Sequence, residues 1–164
     1  MSASKQLELI KKRIQVQSRL ALTKIAKEVA PDIANIVRTR TQLEGEGTSG
    51  KLSPLSESTK KQRRLYSDNL SEYTSPEQSN ATATGQLIDS IQGKNIGTKI
   101  IVEPNKKKGR TTLSGGRSKL SNQEVLKWYE AQGREFLKLN DEEKKDLREY
   151  ISKRLSEELA KRLK

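Results

Sequence analysis

Neither cysteine nor histidine occurs in these 164 residues. Without cysteine there is no disulfide and no thiolate metal ligand, and cysteine usage says nothing about the compartment. Without histidine the usual general base and the commonest metal ligand are both missing. Aromatics are scarce as well: one Phe, one Trp and four Tyr. Apolar residues, alanine included, make up only 31%. A chain of single-domain length therefore has little to bury, and a thin core that gains burial from neighbouring subunits is expected. No apolar run approaches the roughly 20 residues of a membrane span, and the opening stretch from Met1 to Lys5 has no apolar segment of a secretory signal. No membrane partner is expected.

What the chain does have is positive charge, a net +12, unevenly placed. Residues 1–40 carry nine Lys and Arg against three acids, and residues 105–122 carry six against none. The remaining segments cancel. An anionic partner, nucleic acid or an acidic protein surface, would meet the first helix, the 105–122 tract, or both.

Leu7, Ile10, Ile14, Ala21, Leu22, Ile25 and Val29 recur at helical steps and predict a long amphipathic helix. Pro31 either restarts or kinks it, Ile33, Ile36 and Val37 resume its apolar face, and Arg38 to Arg40 ends it. Gly45, Gly47 and Gly50 interrupt any further helix, leaving a Gly/Ser-rich link. Ser56 reads as the cap of a short basic helix reaching about Tyr66, followed by loop. Thr84 can cap a small helix with Leu87, Ile88 and Ile91 inward and Gly93 as its left-handed end. Residues 98–104 form the convincing strand, with Ile100 and Val102 on one face and Ile101 on the other. Its candidate partners are residues around Ile96, Thr111–Leu113 and Phe136–Leu139. Residues 105–119 read as a loop or hairpin tip. Ser121 to Glu124 and Asn140 to Glu143 are capping-box patterns. The first opens a helix with Val125, Leu126, Trp128 and Tyr129 that Gly133 closes. The second opens a terminal helix whose narrow stripe, Leu147, Ile151, Leu155, Leu159 and Leu163, should dock on one surface. The fold class expected is α+β: a long N-terminal helix, short helices, a small antiparallel sheet and a C-terminal amphipathic helix. One domain, 1–164, divides into an N-terminal arm (1–40), a link with its basic helix (41–83), a sheet region (84–139) and the final helix (140–164).

Catalytic patterns are hard to find. The acids of the last helix alternate with Lys and Arg as solvated ion pairs do, and Glu44, Glu46 and Asp68 have no metal-ligand spacing. Lys51 after Gly50 suggests a phosphate loop, but no buried strand precedes it, Leu52 replaces the Ser or Thr, and Pro54 blocks a following helix. No enzyme activity, cofactor or small-molecule substrate is expected. Lys106, Lys107, Lys108, Arg110, Arg117 and Lys119 could contact phosphates as point charges. With no aromatics interleaved, base stacking is unsupported, and contact with double-stranded DNA would be non-specific.

Three motifs stand in a telling order behind the long helix. Gly45-Glu-Gly47-Thr-Ser-Gly50-Lys51-Leu52-Ser-Pro54-Leu55-Ser56-Glu-Ser58-Thr59 leads into Lys60, Lys61, Arg63 and Arg64. Thr84-Gly85-Gln-Leu87-Ile-Asp-Ser90-Ile91 precedes the strand. Gly133-Arg134-Glu-Phe136-Leu137-Lys-Leu139-Asn140 precedes the acidic cap of the last helix. Behind a long amphipathic helix, this order resembles the tail-completion (neck) or virion-morphogenesis proteins of long-tailed bacteriophages. Glu135 stands where that family has Pro. The resemblance implies a structural virion protein at the head–tail junction, assembled in the host cytoplasm. It would form a homo-oligomeric ring between the portal-connector complex and the tail proteins, lining or sealing the DNA channel. A tail terminator ring is the related alternative, and a basic DNA-binding accessory protein is the alternative of another class. The same resemblance makes Gly85, Leu87, Ile91, Phe136, Leu137 and Leu139 packing positions.

Overall fold

The computed structural model describes residues 3–106 and 110–163. Its spine is one long helix, α1 (Ala3–Thr39), which passes through Pro31 without a break. Proline costs α1 the hydrogen bond to the Lys27 carbonyl, and Lys27 lies exposed, where water can replace that donor. A π-helical turn, Arg40–Glu44, follows directly and is stopped by Gly45 at φ 64. The chain is α+β, as its patterning indicated.

The glycine-rich link is a compact hairpin, β1 (Glu46–Gly47) with β2 (Gly50–Lys51). A side chain at Gly47 would fall on the backbone carbonyl of Glu135, and Thr48 N donates to that same carbonyl at 2.8 Å. Glycine is needed there because two backbones touch. Ser56 caps α2 (Glu57–Leu65) by accepting from Thr59 N. Beyond it, the polar loop 66–83 is wired by two buried side chains. Arg63 Nη1 donates to the carbonyls of Gln78 (2.7 Å) and Ser75 (3.3 Å). Asn80 donates to the carbonyls of Tyr73 (2.7 Å) and Gln42 (3.0 Å). A stretch that composition marks as loop is thereby given one conformation without an apolar core of its own.

The small helix α3 (Gln86–Asp89) begins at Gly85, whose φ of 74 suits glycine, and Thr84 makes no capping bond there. Leu87 and Ile88 point inward as expected, but Ile91 already belongs to β3 (Ile91–Ile96). Gly93 is therefore not a left-handed helix end. It lies within β3, where a Cβ would fall on the carbonyl oxygen of Ala30 in α1. β3 pairs antiparallel with β4 (Lys99–Pro104) from Ile91↔Pro104 to Ile96↔Lys99, turning at Gly97 with φ 62.

The strand at 98–104 thus finds the partner expected around Ile96. Thr111–Leu113 does not join it; β5 (Arg110–Thr111) pairs with β6 (Arg117–Ser118) as a separate hairpin. Phe136–Leu139 forms no strand either, because its carbonyls are spent elsewhere. Arg40 Nη2 donates to Phe136 O at 2.7 Å and Lys138 O at 3.0 Å. Among the described residues, the small antiparallel sheet expected is divided into three two-stranded hairpins.

Both capping boxes form: Ser121 with Glu124 opens α4 (Asn122–Ala131), and Asn140 with Glu143 opens α5 (Asp141–Arg162). Gly133, at φ 71, lies just past the end of α4. Glu143 also pairs with buried Arg40, so one carboxylate holds the start of α5 to the end of α1. From there α5 runs back along α1, fixed by Lys24–Glu158 (2.9 Å) and Glu28–Arg154 (3.0 Å).

Two apolar clusters flank α1. One gathers Ala34, Val37, Leu52, Leu87, Ile88, Ile91, Leu126 and Phe136. In the other, Leu147, Ile151 and Leu155 of α5 meet Ile25, Val29 and Ile33. Val102 and Leu139 touch both.

Gly93→Ala should cost about 3 kcal/mol, since neither backbone can retreat. Gly97→Ala, with open space around it but a left-handed φ, should cost only about 1 kcal/mol. Urea denaturation separates the two, and equal losses would contradict the close approach at Ala30. The Lys24 hydrogen bond and charge hold the Glu158 carboxyl below its ordinary 4.5. A lowered folded-state value stabilises above the unfolded-state value and is lost as pH falls through the folded one. The melting temperature of Lys24→Gln should therefore lie below wild type at neutral pH, and the gap should close in acid well under 4.5.

Candidate functional site

Of the basic tract singled out from sequence, Lys106, Arg117 and Lys119 are exposed. Lys107 and Lys108 lie outside the described residues. Arg117 stands on the β5–β6 hairpin, whose tip is closed by Thr112 N donating to Gly116 O at 2.8 Å. The hairpin is clamped to the body from two sides. Thr111 N donates to the Gln86 side chain at 3.0 Å, and Asn69 Nδ2 donates to Leu113 O at 2.7 Å. Gln86 is the unremarked third residue of the Thr84-Gly85 motif, and its role shows only once the hairpin is in place.

Arg110 behaves differently from its neighbours in sequence. It lines a cleft of about 710 Å³ between the hairpin and α4, with Leu87, Leu113, Leu120, Val125, Trp128 and Tyr129 among the other walls. Burial pulls its guanidinium below the usual arginine range, with Tyr129 nearby opposing the shift, and its Nε has no hydrogen-bond partner among the described residues. An arginine so placed remains cationic at neutral pH, yet it faces an apolar cleft more than open solvent. The Thr84-Gly85 element forms part of the floor of this cleft.

Of the positions marked for packing, five belong to one cluster. Leu87, Ile91 and Phe136 are buried in the first cluster, with Leu137 and Leu139 packed against it. Gly85 is buried and supplies the left-handed turn into α3. Lys51, at the end of the glycine link, is engaged by the Glu44 carbonyl (2.8 Å) and the Glu46 carboxylate (3.0 Å). Among the described residues no group of three or more Asp or Glu could hold a metal ion, and no helix is long and apolar enough to cross a membrane.

The most conspicuous surface is the first half of α1. The register with α5 places Glu158 at the level of Lys24 and Arg154 at Glu28, so Arg162, the end of that helix, lies one turn further, near Leu20. Residues 4–20, exposed apart from half-buried Gln17 and Ser18, project beyond it as a helical arm. Leu7 (59%), Leu9 (56%), Ile10 (54%) and Val16 (55%) are exposed, as are Ile14 and Leu20. Leu7, Ile10 and Ile14 continue the stripe that buries Ala21 and Ile25 further along, so the helical periodicity holds but half of the stripe finds no cover among the described residues. Leu9, Val16 and Leu20 form a second stripe, about 140° round the helix, which the one-face pattern did not reveal. The same arm carries Lys5, Lys11, Lys12, Arg13 and Arg19 against one acid, Glu8.

A second surface has the opposite character. Between α1 and α5 lies a groove of about 440 Å³, lined by Val29, Ile33, Ile36, Leu147 and Tyr150 with Asp32, Glu143 and Asp146 at its edges. Ile36, expected on the buried face, is 41% exposed here. Comparison of the chain with family models, with curated proteins and with solved structures gives no match.

Replacing Lys106, Arg117 and Lys119 together by Ser should leave the melting temperature within about 1 °C of wild type, because exposed charges contribute little to stability. If the protein binds double-stranded DNA through these side chains, the affinity should fall and its salt dependence should flatten. A large loss of thermal stability would show instead that these side chains hold the hairpin.

Proposed function

We propose that this chain is a structural subunit of the neck of a long-tailed bacteriophage, a tail-completion ring joining the portal-connector complex to the tail. The observation that carries this reading is the bare arm of α1. Large apolar side chains line the arm and are left in water by a chain already poor in apolar residues, which is what an obligate subunit offers its neighbours. The motif order supports the same reading, because each motif has a packing task. Gly47 admits the Glu135 backbone, the Thr84-Gly85 turn seats Leu87, and Phe136 closes the core beneath Arg40.

In such a ring the exposed cations of the β5–β6 hairpin would meet DNA in the channel. Contact through Lys and Arg alone, without aromatic stacking, is non-specific and lets the duplex slide. A tail terminator ring needs the same kind of subunit and is the nearest variant of the proposal. A free DNA-binding accessory protein explains the hairpin but leaves the apolar arm without a purpose.

Immunogold labelling of purified particles should place gold at the head–tail junction. Gold on free tails that lack heads would assign the terminator variant. Absence from intact particles would overturn the ring reading.

A further inference from the structure

We propose that the N-terminal arm of one copy docks into the acidic groove between α1 and α5 of the next, head to tail, as the bond that builds the assembly. The proposal rests on the ring reading only for the site of assembly; the contact itself is argued from the chain.

The two surfaces fit in chemistry. The arm presents Leu7, Ile10 and Ile14 flanked by Lys11 and Arg13, with Lys12 further round the helix, and the groove presents Ile33, Ile36 and Leu147 beside Asp32 and Asp146. Neither Asp32 nor Asp146 takes part in an ion pair among the described residues, whereas Glu143 is already engaged by Arg40. The surfaces also fit in length. From Leu7 to Ile14, and from Val29 to Ile36, the helix rises by about 10 Å. Two helices packed side by side leave a groove that a third can enter, and α1 with α5 is such a pair.

Geometry requires the contact to be between copies. Arm and groove lie on the same continuous helix, with Ile14 and Ile33 about 28 Å apart along its axis. One molecule cannot fold its own arm into its own groove. A surface on one end that fits a different surface further along the same subunit makes a heterologous contact, which closes into a ring or runs on as a filament.

Charge decides against the competing occupants. Two arms packed on each other would bring Lys11, Lys12 and Arg13 against their own kind. The larger cleft beside α4 is lined by Arg110, and its carboxylate, Glu124, is committed to Ser121 N at 2.7 Å. The groove beside Asp32 and Asp146 has no cation among its lining residues.

A charge swap tests this. Lys11→Glu with Lys12→Glu and Arg13→Glu reverses the arm; Asp32→Lys with Asp146→Lys reverses the groove. All five positions are exposed, so both variants should keep the wild-type circular dichroism. Each alone should self-associate at least about tenfold more weakly than wild type by analytical ultracentrifugation, because like charges now face each other. Mixed in equal amounts they should recover wild-type assembly, since the acidic arm meets the basic groove and the basic arm meets the acidic one. If the groove variant assembles as wild type does while the arm variant fails, the arm binds elsewhere and the proposal falls, although a ring can stand. If both variants assemble as wild type does, the contact lies on other surfaces and the proposal falls again. If wild type itself stays monomeric at every concentration, the ring reading falls with it.

Discussion

The carbonyl of Ala30 touches the backbone of β3, and the rest of the fold is arranged round that approach. A side chain at residue 93 would hold the β3–β4 hairpin off the helix. With glycine there, the hairpin lies flush on α1. Ile91 then reaches the first apolar cluster, and Ile100 and Val102 reach the second. A chain with one Phe and one Trp cannot fill wide gaps with large side chains. Close backbone contact is the other way to reach interior packing density, and this protein uses it again where Gly47 meets Glu135.

Buried arginines do much of what apolar bulk does elsewhere. Arg40 sits at the junction of α1, the 136–139 segment and α5, taking two carbonyls and a carboxylate. Arg63 does the same for the loop after α2. Such centres are specific in direction, because each guanidinium donor needs its own acceptor, and a partner lost leaves a buried charge uncompensated. The stability they lend depends on every neighbour being in place. Their cost shows in the Nε atoms of both residues, which are buried without partners.

Function, on the reading proposed, is divided between two ends of the molecule. The hairpin at one side carries cations for DNA, and the arm and groove carry the means of joining copies. The body between them holds these surfaces at fixed separation, since arm and groove share one continuous helix and the hairpin is tied to Gln86 and Asn69.

Much of this was legible in the residue order, and the reason is local. Helix caps at Ser56, Ser121 and Asn140 satisfy backbone donors within three residues, so they can be read without knowing the fold. The apolar stripes of α1 and α5 follow from helical periodicity in the same way. What sequence alone could not decide were contacts between distant backbones and the extent of cover. Gly93 looks like a helix end until Ala30 is beside it, and Phe136–Leu139 looks like a strand until Arg40 takes its carbonyls. The stripe on α1 is uniform in sequence from Leu7 to Val37, and only the tertiary structure, by ending α5 near the level of Leu20, divides it into a buried part and an exposed one. Periodicity states which face of a helix is apolar; where the covering element stops depends on register between elements far apart in the chain, and no local pattern encodes that.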